Sequence, residues 1–197
     1  MLFLSCQTGL AGAVKNAGRF AAEAEAQVIK IEAGGAYLDV IKAVSDGGDG
    51  PHWNKAAEYR QETGKFRAEA TTAQMGLELI SLAEQMVNSG ASLLLVEGAA
   101  AEVAEIITDR GEVPVIGCGS GPSCDGQILI APDILGLTRG PSPKFAKSYG
   151  NLGDAVVETF RKYSSEVKAG RYPDKDLSYH MKKGELERLR ELLKDKI

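Results

Sequence analysis

Residues 92–117, SLLLVEGAAAEVAEIITDRGEVPVIG, decide the fold. Ser92 to Glu97 is short and almost continuously apolar, which reads as a buried strand. Ala100 to Arg110 carries its apolar residues at helical spacing, and Val113 to Gly117 (VPVIG) is a second short apolar run. Strand, helix and strand in this order make a parallel βα unit, and strands this apolar are expected to be covered on both faces. A barrel and a doubly wound sheet both fit that pattern.

Working outward, Gln127 to Ala131 (QILIA) reads as a further strand. A helix is expected from beyond Pro143 to about Lys168, then the turn AGRYPDKD. A charged helix follows over Lys182 to Lys196, with Leu186, Leu189 and Leu193 on one side. In the other direction, Thr71 to Ser89 places Met75, Leu79, Leu82, Met86 and Val87 at helical spacing, with Asn88-Ser89-Gly90 as a stop. Gln27 to Glu32 (QVIKIE) is a strand ahead of Gly34-Gly35, and Tyr37 to Val44 is a helix. Thr8 to Ala26 is a helix rich in Ala and Glu, with Thr8 as its N-cap. Ser45 to Gly64, which includes SDGGDGPHWNK, has no clear periodicity and reads as one long loop, either a functional segment or a disordered one.

Composition narrows the class of function. The chain of 197 residues is 44% hydrophobic, enough for one sizeable core. Its 27 acidic and 23 basic residues, net −4, are spread along the sequence, so a nucleic-acid partner is not expected. No apolar run approaches membrane-spanning length. The start MLFLSC is superficially similar to a lipoprotein signal, but it lacks a basic n-region and its apolar run is short. Cys6, Cys118 and Cys124 fit no disulfide framework and read as three thiols. A cytoplasmic protein without a membrane partner is the expectation.

In parallel α/β folds the C-terminal strand ends collect the loops and the chemistry. Glu97 follows LLLV, and a carboxylate in such surroundings suits proton transfer; capping the helix that starts near Ala100 is the plain alternative. Lys30 and Glu32 lie two apart, so they share one face of their strand, where they suit an anionic substrate and its metal or simply pair in solvent. His52 sits in the glycine-rich loop, within reach of a pocket or merely solvated. Gly117-Cys118-Gly119-Ser120-Gly121 follows a strand, but PSCDGQ stands where a dinucleotide site needs a helix to open. Its amides could line a substrate floor or form a tight turn. A zinc pair of Cys118 and Cys124 lacks further ligands.

Taken together, VIKIEAGG, LLLVEGAAAEVAEIIT, VPVIGCGSGPSCDGQILIAPDILGL, PKFAKSYGNLG and VKAGRYPDKDLSYH resemble the ketopantoate hydroxymethyltransferase family. IGCGSGPSCDGQ matches that family's IG-x-G-x-G…DGQ signature, and Asp133 to Leu137 fit the D-x-x-G-[LI] segment after it. The similarity is strong from Ser92 to about His180, moderate from Phe3 to Gly35 and weak from Tyr37 to Gly64; only the last helix, roughly from Lys182, falls outside it.

The resemblance implies a (β/α)8 barrel, Mg²⁺, and 5,10-methylenetetrahydrofolate as co-substrate for adding a hydroxymethyl group to 3-methyl-2-oxobutanoate, a 2-oxo acid. It implies that Glu97 is the proton acceptor, that Lys30 and His52 bind substrate, and that Glu32 belongs to the metal site. In that chemistry the metal-held 2-oxo acid loses its C3 proton and the resulting enolate attacks the folate's one-carbon unit. Several features depart from the pattern. MLFLSCQ is similar to the tail of the family's DLPF-x-SYQ segment, so that segment's aspartate would lie before Met1, and the GDS aspartate has no counterpart. PHWNKAAEY replaces GH-x-GL-TPQ, and KIEGG has become KIEAGG.

The expected architecture is therefore an incomplete (β/α)8 TIM-type barrel of about five βα units with C-terminal helices. Residues 1–181 would form this barrel-derived domain and 182–197 a charged terminal helix. Open strand edges would need cover, and a homo-oligomer is expected. Two alternatives are a catalytically inactive oligomeric remnant of the family, and a Mg²⁺-dependent 2-oxo acid enzyme of the phosphoenolpyruvate mutase and isocitrate lyase type.

Overall fold

A computed structural model describes residues 8–32, 37–47, 54–59 and 69–194, with the stretch 54–59 given by its backbone. In chain order these form α1 (Leu10–Ala24), β1 (Val28–Glu32), α2 (Leu38–Asp46), β2 (Asn54–Tyr59), α3 (Ala73–Asn88) and β3 (Leu93–Glu97). There follow α4 (Ala101–Arg110), β4 (Val115–Cys118), β5 (Gly126–Gln127), α5 (Ala131–Ile134), α6 (Leu152–Lys168) and α7 (Glu185–Lys194). The strands make one parallel sheet in the order β1-β2-β3-β4-β5. Among the described strands that order never reverses, whereas a doubly wound sheet has a switch point where it does.

One core explains the arrangement. Ile29 and Ile31 of β1, Leu94 and Val96 of β3, and Val115 of β4 pack against Ala13 and Ala17 of α1, Ile41 and Val44 of α2, Leu79, Ala83 and Met86 of α3, and Ala104 and Ile107 of α4. The fully buried Ala13 and Ala17 are one helical turn apart, and their small size lets α1 approach closely. Each buried Ile or Val in this layer stabilises by about 1.5–3 kcal/mol relative to exposure. The opposite face is different: Val28 is 48% exposed and Lys30 is exposed, so β1 alternates instead of being covered on both sides.

The helices fall where periodicity places them, with local corrections. Thr72 caps α3, its Oγ1 accepting the Met75 amide at 3.3 Å. At α1 the N-cap is Gly9 rather than Thr8, with no side-chain cap bond. β2 lies inside the stretch expected to be one loop; its sequence NKAAEY has no β-branched residue, and pairing to β1 and β3 holds it extended. QILIA is not a strand along its length: pairing stops at Gln127, and Ile128 and Ile130 are 49% and 61% exposed ahead of α5. The helix expected beyond Pro143 starts only at Leu152, after a stretch held by turns. α7 buries none of its residues, as its charge foretells.

Candidate active site

The C-terminal ends of β1, β3 and β4 gather the residues of interest. Strand register sets Glu32 level with Glu58, and Glu58 level with Leu95, so Glu97 stands two strands across from Glu32 and two residues further along. With strands about 4.8 Å apart and a rise of about 3.3 Å per residue, the two backbone positions are separated by about 12 Å. Lys30 lies two residues back from Glu32 on the same face, since side chains alternate and Ile29 and Ile31 take the core face. Leu93, Leu95 and Glu97 likewise face away from Leu94 and Val96, so Lys30, Glu32 and Glu97 share the face not covered by α1 to α4.

Glu97 itself is half-buried. It does not cap α4: the N-cap there is Ala100, with no side-chain cap bond. Among the described residues its carboxylate takes part in no ion pair or side-chain hydrogen bond. His52 lies outside the described residues.

The glycine segment braces this strand end. After β4 the chain turns through Gly119 (φ +71°) and Gly121 (φ +85°). A Cβ on Gly119 would overlap the Phe145 ring, and one on Gly121 would stand 2.5 Å from Ala101 Cβ, so both positions require glycine. Gly117 is less tight, with a Cβ there 2.9 Å from Cys124 Sγ. The Gln127 amide Nε2 donates to the Gly121 carbonyl at 2.9 Å, and Asp125 Oδ2 accepts the Val115 amide at 2.7 Å. β5, not a helix, follows the loop, in keeping with the absence of a dinucleotide fingerprint. Burial raises the Cys124 thiol pKa, with a smaller contribution in the same direction from the Asp125 charge and an opposing hydrogen bond with Thr108. Cys118 and Cys124 are thiols, not halves of a disulfide.

Sequence reasoning missed Ser120, only 1% exposed, whose Oγ accepts the Ala99 amide at 3.1 Å and donates to the Val96 carbonyl at 2.8 Å. Its one signal was its place between two glycines. It also missed the bridge of Glu69 to Ala99, by which the Glu69 backbone bonds Gly98 and Ala100 at 2.9 Å.

Among the described residues no group of three or more His, Cys, Asp or Glu could hold a metal ion. Glu32 alone does not make a Mg²⁺ site, since that ion takes six oxygen ligands in near-octahedral geometry. The described residues therefore do not fit the expected magnesium. Nor is any described helix long and apolar enough to cross a membrane.

Residues 1–175 match the sequence profile described as ketopantoate hydroxymethyltransferase. The chain belongs to the ketopantoate hydroxymethyltransferase family. Within that family it is 38% identical over 179 residues to the 3-methyl-2-oxobutanoate hydroxymethyltransferase of Clostridium acetobutylicum, covering 90% of this chain and 65% of the relative. The enzyme of that name from Moorella thermoacetica is 37% identical over 90% of this chain and 66% of its own length. The one from Hyperthermus butylicus is 38% identical over 99% of this chain and 68% of its own length. The chain thus spans about two thirds of the curated ketopantoate hydroxymethyltransferases it matches. A solved phosphonopyruvate hydrolase overlays with a TM-score of 0.49 at 15% identity, covering 97% of this chain and 68% of that one, too slight a likeness to build on.

Proposed function

We propose that the chain serves the reaction in which 3-methyl-2-oxobutanoate takes a hydroxymethyl group from 5,10-methylenetetrahydrofolate to give ketopantoate. Glu97 carries this reading: a carboxylate at the end of β3, not used as a cap, on one face with Lys30 and Glu32. The Glu97 carboxylate accepts the C3 proton of the 2-oxo acid, leaving C3 as the nucleophile that bonds to the methylene carbon. Water supplies the hydroxyl oxygen as the two C–N bonds to that carbon break, and tetrahydrofolate leaves with its nitrogens protonated, one by the proton taken from C3 and one by the proton from water. Lys30 offers a positive charge to the substrate carboxylate from two residues below the strand end. His52 completes substrate binding, and Glu32 is the chain's share of the family's acidic site. Mg²⁺ is part of the family reading, but the described residues do not form its site, and each step assigned to the chain runs through its own side chains.

The sequential sheet order, with helices on one face, supports an arc of a (β/α)8 barrel, with α7 as an appended helix. A cytoplasmic homo-oligomer belongs to the same reading, supported by the exposed apolar side chains of α6, among them Val156, Phe160 and Val167.

The test follows 3-methyl-2-oxobutanoate in D2O by proton NMR with the purified chain, with and without Mg²⁺ and the folate. Deuterium at C3 and folate-dependent ketopantoate are expected, and Glu97→Gln should slow both by about 10²–10⁴-fold. No exchange and no product under any condition refutes the activity for this chain. The lack of a metal-holding group among the described residues favours a second reading, a family member that binds without turnover. Calorimetric binding of 3-methyl-2-oxobutanoate without C3 exchange would select it. The family match counts against the mutase and lyase alternative.

A further inference from the structure

The end of β3 is secured by a side chain from another part of the chain. Gly98 has its backbone groups taken by backbone partners, its N–H donating to the Cys118 carbonyl and its carbonyl accepting from the Glu69 N–H, each at 2.9 Å. The Val96 carbonyl before Glu97 and the Ala99 N–H after Gly98 both meet the Ser120 hydroxyl, at 2.8 and 3.1 Å. One buried hydroxyl therefore donates ahead of Glu97 and accepts behind it, spanning the residue without using its carboxylate.

Ser120 points there because of its neighbours. Gly119 and Gly121 both take positive φ, with Phe145 against the first and Ala101 against the second, so the backbone reverses on both sides and turns the serine inward. A strand end has backbone groups that the ladder no longer satisfies, and leaving one unpaired in a buried place costs about 1–3 kcal/mol. Water could serve them at an open turn but would leave the turn free to move. A side chain that is 1% exposed holds it in one geometry.

We infer that Ser120 is a positioning residue for Glu97: by gripping Val96 and Ala99 it fixes the turn from which the carboxylate projects, and with it the direction in which a proton is taken. The inference rests on the reading of Glu97 as proton acceptor. It ties the glycine segment to the chemistry through one hydroxyl, not through the loop amides.

The test uses the whole 197-residue chain with Ser120→Ala and Ser120→Cys, the second nearly isosteric but a weak donor. Carbon-13 NMR reads the Glu97 carboxyl signal, assigned with Glu97→Gln, and hydrogen exchange reads the Ala99 amide. In Ser120→Ala the Ala99 amide is expected to exchange at least about tenfold faster, as a lost tie permits local opening. The Glu97 signal should shift or split, and Ser120→Cys should fall between. Where the wild type exchanges the C3 proton, kcat in Ser120→Ala drops by about 10–100-fold with KM within about twofold, because orientation rather than binding is lost. An unchanged Glu97 signal in the variants overturns the inference even if the amide opens, since Ser120 would then be a structural tie alone. A wild type that never exchanges the C3 proton refutes the role given to Glu97 instead, and the carboxyl signal still decides whether Ser120 positions it. If Ser120→Ala does not fold, Ser120→Cys supplies the same comparison.

Discussion

Replacing Gly121 by alanine should destabilise the fold through two separable effects. The residue sits at φ +85°, where an L side chain costs about 1–2 kcal/mol. Its new Cβ would stand 2.5 Å from Ala101 Cβ and 3.0 Å from Ala101 Cα, the second a backbone atom at the start of α4 that cannot swing aside. Overpacking of this kind adds about 1–3 kcal/mol. Together they predict a loss of about 3 kcal/mol, a fall in Tm of roughly 6–12 °C for a domain of this size. Gly140→Ala isolates the first effect, since Gly140 has φ +99° and nothing within 4 Å of its Cβ position; it should cost about 1 kcal/mol. Gly18→Ala, inside α1 with nothing within 4 Å, should instead stabilise by about 0.5–1 kcal/mol. Urea unfolding followed by far-ultraviolet circular dichroism measures all three, with an unchanged m-value confirming that stability alone moved. Gly121→Ala within about 0.5 kcal/mol of Gly140→Ala would refute the steric argument.

Ile41→Ala removes a side chain with 0% exposure and should cost about 2–5 kcal/mol, whereas Leu77→Ala, at a site 63% exposed, should stay within about 0.5 kcal/mol; the same urea titrations check both. Lys30→Met keeps the stem and loses the charge, so under the proposed function 3-methyl-2-oxobutanoate should bind about 10–100-fold more weakly by calorimetry. The raised Cys124 pKa keeps the folded thiol protonated where the unfolded one, at about 8.5, begins to ionise. Its contribution to stability is therefore full below that value and is lost as pH rises through the folded pKa. Urea midpoints followed from about pH 7.5 up to about pH 10 should fall more for the wild type than for Cys124→Ala.

The elements legible in the sequence are those whose own residues dictate them. Leu79 and Met86 mark one face of α3, and LLLV marks β3, because burial follows directly from apolar spacing. β2 was not legible: Asn54, Lys55 and Glu58 carry no strand signal, and the register with β1 and β3 holds them extended. QILIA failed in the other direction, since apolar character alone cannot form a strand once its neighbour β4 has ended at Cys118. Lys30, Glu32 and Glu97 could be placed on strand ends from alternation, and the structure puts all three on one face. The helix-cap alternative for Glu97 needed the Ala100 geometry to be set aside. Ser120 could not be found from a three-residue pattern, because its partners, Val96 and Ala99, are more than twenty positions away.

The unreversed strand order bears on how the molecule acquires its shape. Among the described strands each ladder joins neighbours in sequence, and the main helix contacts run α1 to α2, α2 to α3 and α3 to α4. Each pairing among the described strands closes one crossover, the longest bringing Ala56 level with Leu93, so closure entropy is met one crossover at a time. Assembly can then proceed by accretion, each βα unit offering the next a templated edge, much as repeats are added in a solenoid.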